Sequence, residues 1–209
     1  MGIDDFSKRI HWLGHDGFRI DASKTIYFDP FQIAGGPKAD LIFITHEHFD
    51  HCSPEDVSKI QGPDTVIVTE KDSALKLTGD VRVIKPGDSL MIDGVKIVAV
   101  PSYNTDKDFH PKKNNWLGFV VEVDGITVYH AGDTDFISEM KDLEVEIAFI
   151  PVSGTYVMRS DQAVEAALAI GPKLAIPMHY GSIVGSEQDA RDFKDALEGK
   201  IDVKILQKA

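Results

Sequence analysis

Six consecutive residues, His46-Glu47-His48-Phe49-Asp50-His51, place three imidazoles and a carboxylate just after the apolar run Leu41-Ile42-Phe43-Ile44. The run has the length and content of a buried strand. The motif is therefore predicted at a strand end, where the backbone is fixed and the following turn can fan all four side chains toward one point. His46 and His48 are two apart, the strand period, so they leave on the same side. Neutral imidazoles and carboxylates are good ligands for zinc and similar divalent cations. Asp50 and His51 are close enough to serve a second ion about 3.5–4 Å from the first, the separation found in two-metal hydrolytic sites. The plain alternative is a solvated polar turn with its histidines paired to Glu47 and Asp50, which needs this spacing to arise by chance.

Other features bound what such a site can serve. A chain of 209 residues is predicted to form one domain, residues 1–209, with a core of ordinary size. A 43% apolar and 27% charged composition is that of a soluble globular protein. The net charge of −12 argues against nucleic-acid binding, which rests on Lys and Arg neutralising phosphates. An anionic small-molecule substrate stays open, because bound cations would dominate a small site. Cys52, the one cysteine, excludes an internal disulfide and agrees with a reducing compartment. Beside His51 it is a candidate ligand, although a small buried hydrophobe is the simpler reading. No apolar stretch reaches 18 residues, so no membrane span is predicted. The start, Met1-Gly2-Ile3-Asp4-Asp5-Phe6, lacks a signal peptide's basic segment, and Phe6 fails the myristoylation pattern. A cytoplasmic enzyme with a small-molecule substrate is expected, with self-association open.

Strands are predicted at His11–Leu13, Phe18–Ile20, Thr25–Phe28, Leu41–Thr45, Thr65–Thr69 and Val81–Ile84. A helix follows Ser53-Pro54-Glu55-Asp56, with Ser53 as N-cap and Pro54 in the first turn. A second helix is predicted over Lys71–Leu77. Asp93-Gly94 joins Ser89–Ile92 to Val95–Val100, and Asp124-Gly125 joins Leu117–Val123 to Ile126–Tyr129, as type I′ hairpins. The last third alternates strands Ile147–Pro151, Leu174–Pro177 and Val203–Leu206 with helices Ser160–Ile170 and Ser186–Leu197. This order suggests two packed sheets covered by helices.

Two more strand ends offer ligands. Gly132-Asp133-Thr134 follows Val128-Tyr129-His130, and the two oxygens of Asp133 could bridge two ions. Ile176-Pro177-Met178-His179-Tyr180 ends an apolar strand in a histidine. Taken singly, Asp133 reads equally as a turn residue and His179 as a core histidine; three such strand ends favour a common site.

The succession His46-x-His48-x-Asp50-His51, Gly132-Asp133-Thr134 and Pro177-Met178-His179-Tyr180 resembles the metallo-β-lactamase superfamily of metal-dependent hydrolases. Leu13-Gly14-His15 with Phe28-Asp29-Pro30-Phe31 resembles its opening strands. Pro151 to Met158 resembles a segment of the small branch similar to the ascorbate-6-phosphate lactonase group. The resemblance implies an α/β fold, a four-layer αββα sandwich of two mixed β-sheets covered by helices. It also implies two divalent ions, zinc first and manganese, nickel or iron as alternatives. His46 and His48 match two ligands of the first ion; Asp50, His51 and His179 match those of the second, and Asp133 the bridge. The family's third histidine is missing from the strand end Val98–Asn104. Either His110 reaches back to complete the first ion, or Asn104 or water substitutes. His130 is expected to point away on its strand.

Ligating imidazoles usually give their second nitrogen to a carboxylate or carbonyl, a role open to Asp29 and Thr134. His15, in a Gly-His-Asp-Gly turn, either approaches the pocket or makes a structural hydrogen bond. The implied reaction is hydrolysis of an ester, lactone or phosphodiester by a metal-bound hydroxide, with Asp50 orienting the water and later carrying its proton. The second ion, or a nearby Tyr180 or His110, would stabilise the oxyanion. Specificity falls to the loops Phe31–Lys38, Tyr103–Asn115, Ser153–Ser160 and Gly181–Gly185. Lys107, Lys112, Lys113 and Arg159 could meet an anion or be solvated, and Tyr156 and Met158 could line the pocket or the core. The rival readings are a non-catalytic metal- or ligand-binding domain and a di-iron redox protein, the latter without any attached flavin domain.

Overall fold

The computed structural model describes residues 2–209; Met1 lies outside them. The first sheet contains β1 (Ile10–Gly14), β2 (Gly17–Asp21), β3 (Thr25–Phe28), β4 (Ala39–Ile44), β5 (Gln61–Thr69) and β6 (Asp80–Val83). They pair in chain order, antiparallel from β1 to β3 and parallel from β3 to β6. The second contains β7 (Ser89–Ile92), β8 (Val95–Pro101), β9 (Leu117–Val123), β10 (Ile126–His130), β11 (Ile147–Pro151), β12 (Leu174–Met178) and β13 (Asp202–Val203). Here the first four strands are antiparallel and β10 to β13 parallel. Asp93 and Gly94 have φ of 48° and 85°, and Asp124 and Gly125 have 52° and 77°, the left-handed pair that a type I′ hairpin demands.

The period-two pattern shows how the sheets are layered. Leu41 and Phe43 of β4 enter one apolar cluster while Ile42 and Ile44 enter another; Phe28 and Tyr27 of β3 divide the same way. Both faces of these central strands are therefore covered. The inner face meets the second sheet through an aromatic slab, with Phe18 stacked on Phe149 at 4.1 Å and Phe43 5.0 Å from both Phe28 and Phe119. The outer face takes Val57 and Ile60 of α2 (Pro54–Ile60), which Ser53 caps by accepting from the Asp56 backbone N–H. The second sheet's outer face is covered by α4 (Ser160–Ile170) and α5 (Glu187–Ala196). Buried Ala163, Ala166 and Ala167 allow α4 to approach closely. The result is the helix–sheet–sheet–helix sandwich expected from the strand order.

Three local departures have physical causes. The expected helix at 71–77 is only α3 (Lys71–Ala74), started by the Glu70 carboxylate accepting from Asp72 and Ser73. The last strand stops at Val203, and the chain crosses to β1, where the Ala209 N–H donates to the Trp12 carbonyl at 2.9 Å. A short helix, α1 (Ile3–Ser7), was not expected; its buried Phe6 belongs to the main core.

Phe43→Ala is expected to cost about 3–5 kcal/mol in denaturant unfolding. A loss under about 1 kcal/mol would show that the slab does not join the sheets as described.

Candidate metal centre

The topology brings six strand ends to one edge. Because β1 and β3 run with β4, and β8 runs with β10 and β12, the carboxyl ends of all six meet there. The β1–β2 turn presents His15 and Asp16, and β3 is followed by Asp29. The histidine motif follows β4, and the segment after β8 carries Asn104 and His110. Asp133 and His179 follow β10 and β12. His15, Asp29 and His179 all take left-handed backbone, with φ of 51°, 38° and 60°. Such conformations are uncommon outside glycine and cluster at functional sites. Gly132 has φ of 62°, and a Cβ there would lie 2.7 Å from the Leu117 carbonyl, so the turn that delivers Asp133 needs glycine.

One oxygen lies at the centre. Asp133 Oδ2 is 3.1 Å from His110 Nε2, 3.3 Å from His179 Nε2, 3.4 Å from His51 Nε2 and 3.9 Å from His46 Nε2. His46, His48 and His110 form one group of possible ligands; His15, Asp50, His51 and His179 form a second, and Asp16, His51, Asp133 and His179 overlap it. The ring nitrogens His46 Nε2 and His48 Nδ1 face each other at 3.0 Å. Two nitrogens about 2.0–2.1 Å from one tetrahedral ion would stand about 3.3 Å apart, so this pair is spaced to share a cation.

The other ring nitrogens are anchored. His46 Nδ1 meets Thr45 Oγ1 at 3.0 Å, and that hydroxyl donates to Asp29 Oδ2 at 2.6 Å. His51 Nδ1 donates to the same Asp29 oxygen at 2.8 Å. His110 Nδ1 donates to Asn104 Oδ1 at 3.0 Å, and the Asn104 amide nitrogen donates to the Tyr156 carbonyl. His179 Nδ1 meets Ser153 Oγ at 2.8 Å. These contacts turn Nε2 of all four rings inward. Among the described residues, Nε2 of His51, His110 and His179 and Oδ1 of Asp133 are buried with no hydrogen-bond partner. Orphaned polar atoms are costly, and a shared divalent cation answers all of them, so the donor set fits one.

The electrostatics point the same way. Burial pushes His46 well below the usual histidine pKa, and His48 below it too, which keeps both neutral and able to ligate. Burial works against Asp133 ionising, but His179, His51 and His110 outweigh it and hold its pKa well below the carboxylate range. Burial would also lower His51, but Asp133 and Asp29 hold it well above its ordinary value, and His179 is raised mainly by Asp133 against the same opposition. Protons on His51 and His179 thus balance charge that a metal would otherwise balance.

His15, one of the ambiguous residues, lies at the site with Nε2 3.1 Å from Asp50 Oδ2. Asn104 is not a substitute ligand, because its side chain is occupied in holding His110 and in bonding Tyr156. Tyr180 is directed elsewhere: its ring stacks on Trp12 at 4.8 Å and lines another cavity. His130 is buried in the slab, stacked on Phe28 at 5.1 Å, with Nε2 donating to the Asp16 carbonyl. Cys52 packs in the outer core, its thiol pushed up to about 11 by burial. Met158 is core, while Tyr156 lines the cavity at the cluster. Sequence reasoning missed Asp16, which is fully buried with both carboxylate oxygens unpartnered among the described residues, and whose pKa burial raises well above normal. Its one signal was its place in the Gly14–Gly17 turn. Ser153 and Trp116, whose ring lies 4.7 Å from those of both His46 and His48, were missed as well.

Above the cluster a cavity of about 240 Å³ opens to solvent, with His48, Asp50, His110 and Asp133 as its floor and Phe49, Phe109, Tyr156 and Ile183 around it. Residues 9–179 match the beta-lactamase superfamily domain model. The chain belongs to the metallo-β-lactamase superfamily. It is 32% identical over 216 residues to a UPF0173 metal-dependent hydrolase of Thermococcus kodakarensis, covering 95% of this chain and 96% of that one. A UPF0173 metal-dependent hydrolase of Methanoculleus marisnigri is 34% identical over 208 residues, covering 94% and 92%. A solved structure from Parabacteroides distasonis superposes with a TM-score of 0.83 at 38% identity, covering 95% and 93%. These relatives support a metal-dependent hydrolase of the superfamily, and not the narrower lactonase-like branch. No helix among the described residues is long and apolar enough to cross a membrane.

Asp29→Ala removes the acceptor behind both His46 and His51, and is expected to weaken metal affinity about 10–100-fold in chelator competition. Because a cation must displace protons from His51 and His179, affinity should fall as pH drops from about 8 to 6, with proton release on binding. A pH-independent affinity would contradict the assigned ligands.

Proposed function

We propose that this superfamily member hydrolyses a small ester, lactone or phosphodiester with water activated at a two-cation centre. His46, His48 and His110 would hold one ion, and Asp50, His51 and His179 the other, with Asp133 between them. The donor chemistry suits zinc, with manganese, nickel or iron as alternatives. When bound, such ions lower the pKa of water toward neutrality and polarise the scissile group. The observation that carries this reading is Asp133 Oδ2 within 3.4 Å of three inward-facing imidazole nitrogens that lack any other partner.

The protein's own residues have separable tasks. Asp50 opens onto the cavity floor and accepts from His15. Burial would raise its pKa, but His15 and His51 lower it on balance, leaving a carboxylate free to take a water proton and return it to the leaving oxygen. His15 keeps that carboxylate aimed. Asn104 fixes His110 so that its Nε2 faces the centre, and Ser153 does the same for His179. Asp29 and Thr45 hold the motif's two buried rings in one tautomer.

Purified protein is expected to carry about one to two equivalents of divalent metal per chain. Asp50→Ala should lower turnover of ester, lactone and phosphodiester probes by at least about 10²-fold, and chelation should abolish it. Stoichiometric metal with no hydrolysis across the panel would favour a non-catalytic binding protein. Iron with oxygen or peroxide reduction would favour redox chemistry.

A further inference from the structure

Phe49, Phe109 and Ile183 are 70%, 50% and 40% exposed, and all three converge with Tyr156 on the cavity above the metal cluster. Apolar residues scattered singly over a surface need no explanation. Three from separate segments around one buried polar floor do. Each lies close in the chain to a residue of the centre: Phe49 inside the histidine motif, Phe109 directly before His110, and Ile183 in the turn after His179. The rings are held as walls, Phe49 edge-on to Phe31 at 5.8 Å and Phe109 edge-on to Tyr156 at 4.8 Å.

Charge argues against an anionic occupant. Among the described residues lining this cavity, none is Lys or Arg. Of the loop cations nearest in sequence, Lys107 pairs with Asp135 at 2.7 Å, Lys112 with Glu139 at 2.9 Å and Arg159 with Asp161 at 3.0 Å, while Lys113 is exposed and outside the cavity lining. Asp29, Asp50 and Asp133 lie at the cluster and offset most of the charge of two divalent ions. Phosphate recognition commonly draws on Lys or Arg donors, and the lining of this mouth offers neither.

We infer that the mouth is a subsite for an uncharged apolar group, an aryl ring or short acyl chain, attached to the scissile bond. Among the bond classes open to the hydrolase reading, on which this inference rests, it selects the carboxylic ester or lactone of an apolar acid. The reaction adds water across the acyl carbon–oxygen bond: hydroxyl joins the acyl carbon, and the remaining proton goes to the leaving alkoxide. The cavity of about 240 Å³ has room for a single ring or a short acyl chain.

The test compares ethyl acetate, butanoate and hexanoate with carboxylate-ended esters of equal length, using the metal-loaded protein. Each buried methylene should raise kcat/KM about fourfold, so hexanoate should exceed butanoate by about sixteenfold while the anionic counterparts fall behind. The double variant Phe49→Ser, Phe109→Ser should flatten the chain-length dependence; Leu in place of Ser at Phe109 should restore most of the slope. Both side chains are exposed, so circular dichroism should show a native fold. Equal rates for neutral and anionic esters, or a slope unchanged in the double variant, overturn the inference. A failure of the hydrolase reading is recognised separately by calorimetric binding of the uncleaved amides butanamide and hexanamide. Tighter binding of the longer amide, lost in the double variant, supports the subsite even without turnover, whereas no turnover and no binding overturns it. Self-association abolished by the double variant, with no chain-length effect, also overturns it and makes the patch an interface between copies.

Discussion

Asp133 Oδ2 is the atom around which this edge of the sandwich is arranged. A buried carboxylate oxygen with three imidazole nitrogens within 3.4 Å is stable only if positive charge is shared among them. The raised pKa values of His51 and His179 favour protons that answer that need, and the same nitrogens are those the proposed cations would take. Other choices in the neighbourhood follow from this competition. Each central histidine must keep one nitrogen committed outward, or the ring would turn and leave the carboxylate uncompensated. Thr45, Asp29, Asn104 and Ser153 supply those outward partners.

Asp29 links the two halves of the centre. One of its oxygens receives both the Thr45 hydroxyl, which is bonded to His46, and the His51 ring, while the other accepts the Thr45 backbone N–H. A single carboxylate thus fixes a ligand from each proposed ion set and the strand end that carries them. It does so from a left-handed backbone, as do His15 and His179. Conformations of this kind persist where surrounding structure over-determines them. Here the parallel strands and the aromatic slab provide the constraint, so the rigidity of the core is what lets the rim hold strained geometry.

Much of this was legible in the sequence because its signals are local. The histidine motif names its own ligand types, the Asp-Gly pairs name their turns, and the alternating apolar runs name both sheets. Asp133 and His179 were readable as strand-end residues once a first site existed for them to join. His110 was legible only as one of several alternatives: its place beside His46 and His48 depends on Asn104 folding a fifteen-residue excursion between β8 and β9 back on itself, through contacts that leave no spacing rule. Asp16 was hidden because a Gly-bounded turn is an ordinary setting for aspartate, and only burial makes its two bare oxygens conspicuous. Tyr180 was misplaced for a simpler reason. Following a ligand in sequence says little about sharing its pocket, because neighbouring side chains leave the backbone in different directions.

The arrangement also separates chemistry from selection. The proposed ligands other than His110 follow the ends of strands, where hydrogen-bonded neighbours hold the backbone to well-defined positions. The exposed rings come from loops on the solvent side of those ligands, where a change of side chain disturbs little packing. Phe49 joins both regimes: it lies within the motif yet faces solvent, between His48 and Asp50, which form the cavity floor. A residue so placed cannot be needed for core stability, since most of its surface is not buried. Its contacts are with Phe31 and with whatever enters the cavity, so its side chain can change what enters while the floor keeps the same donors.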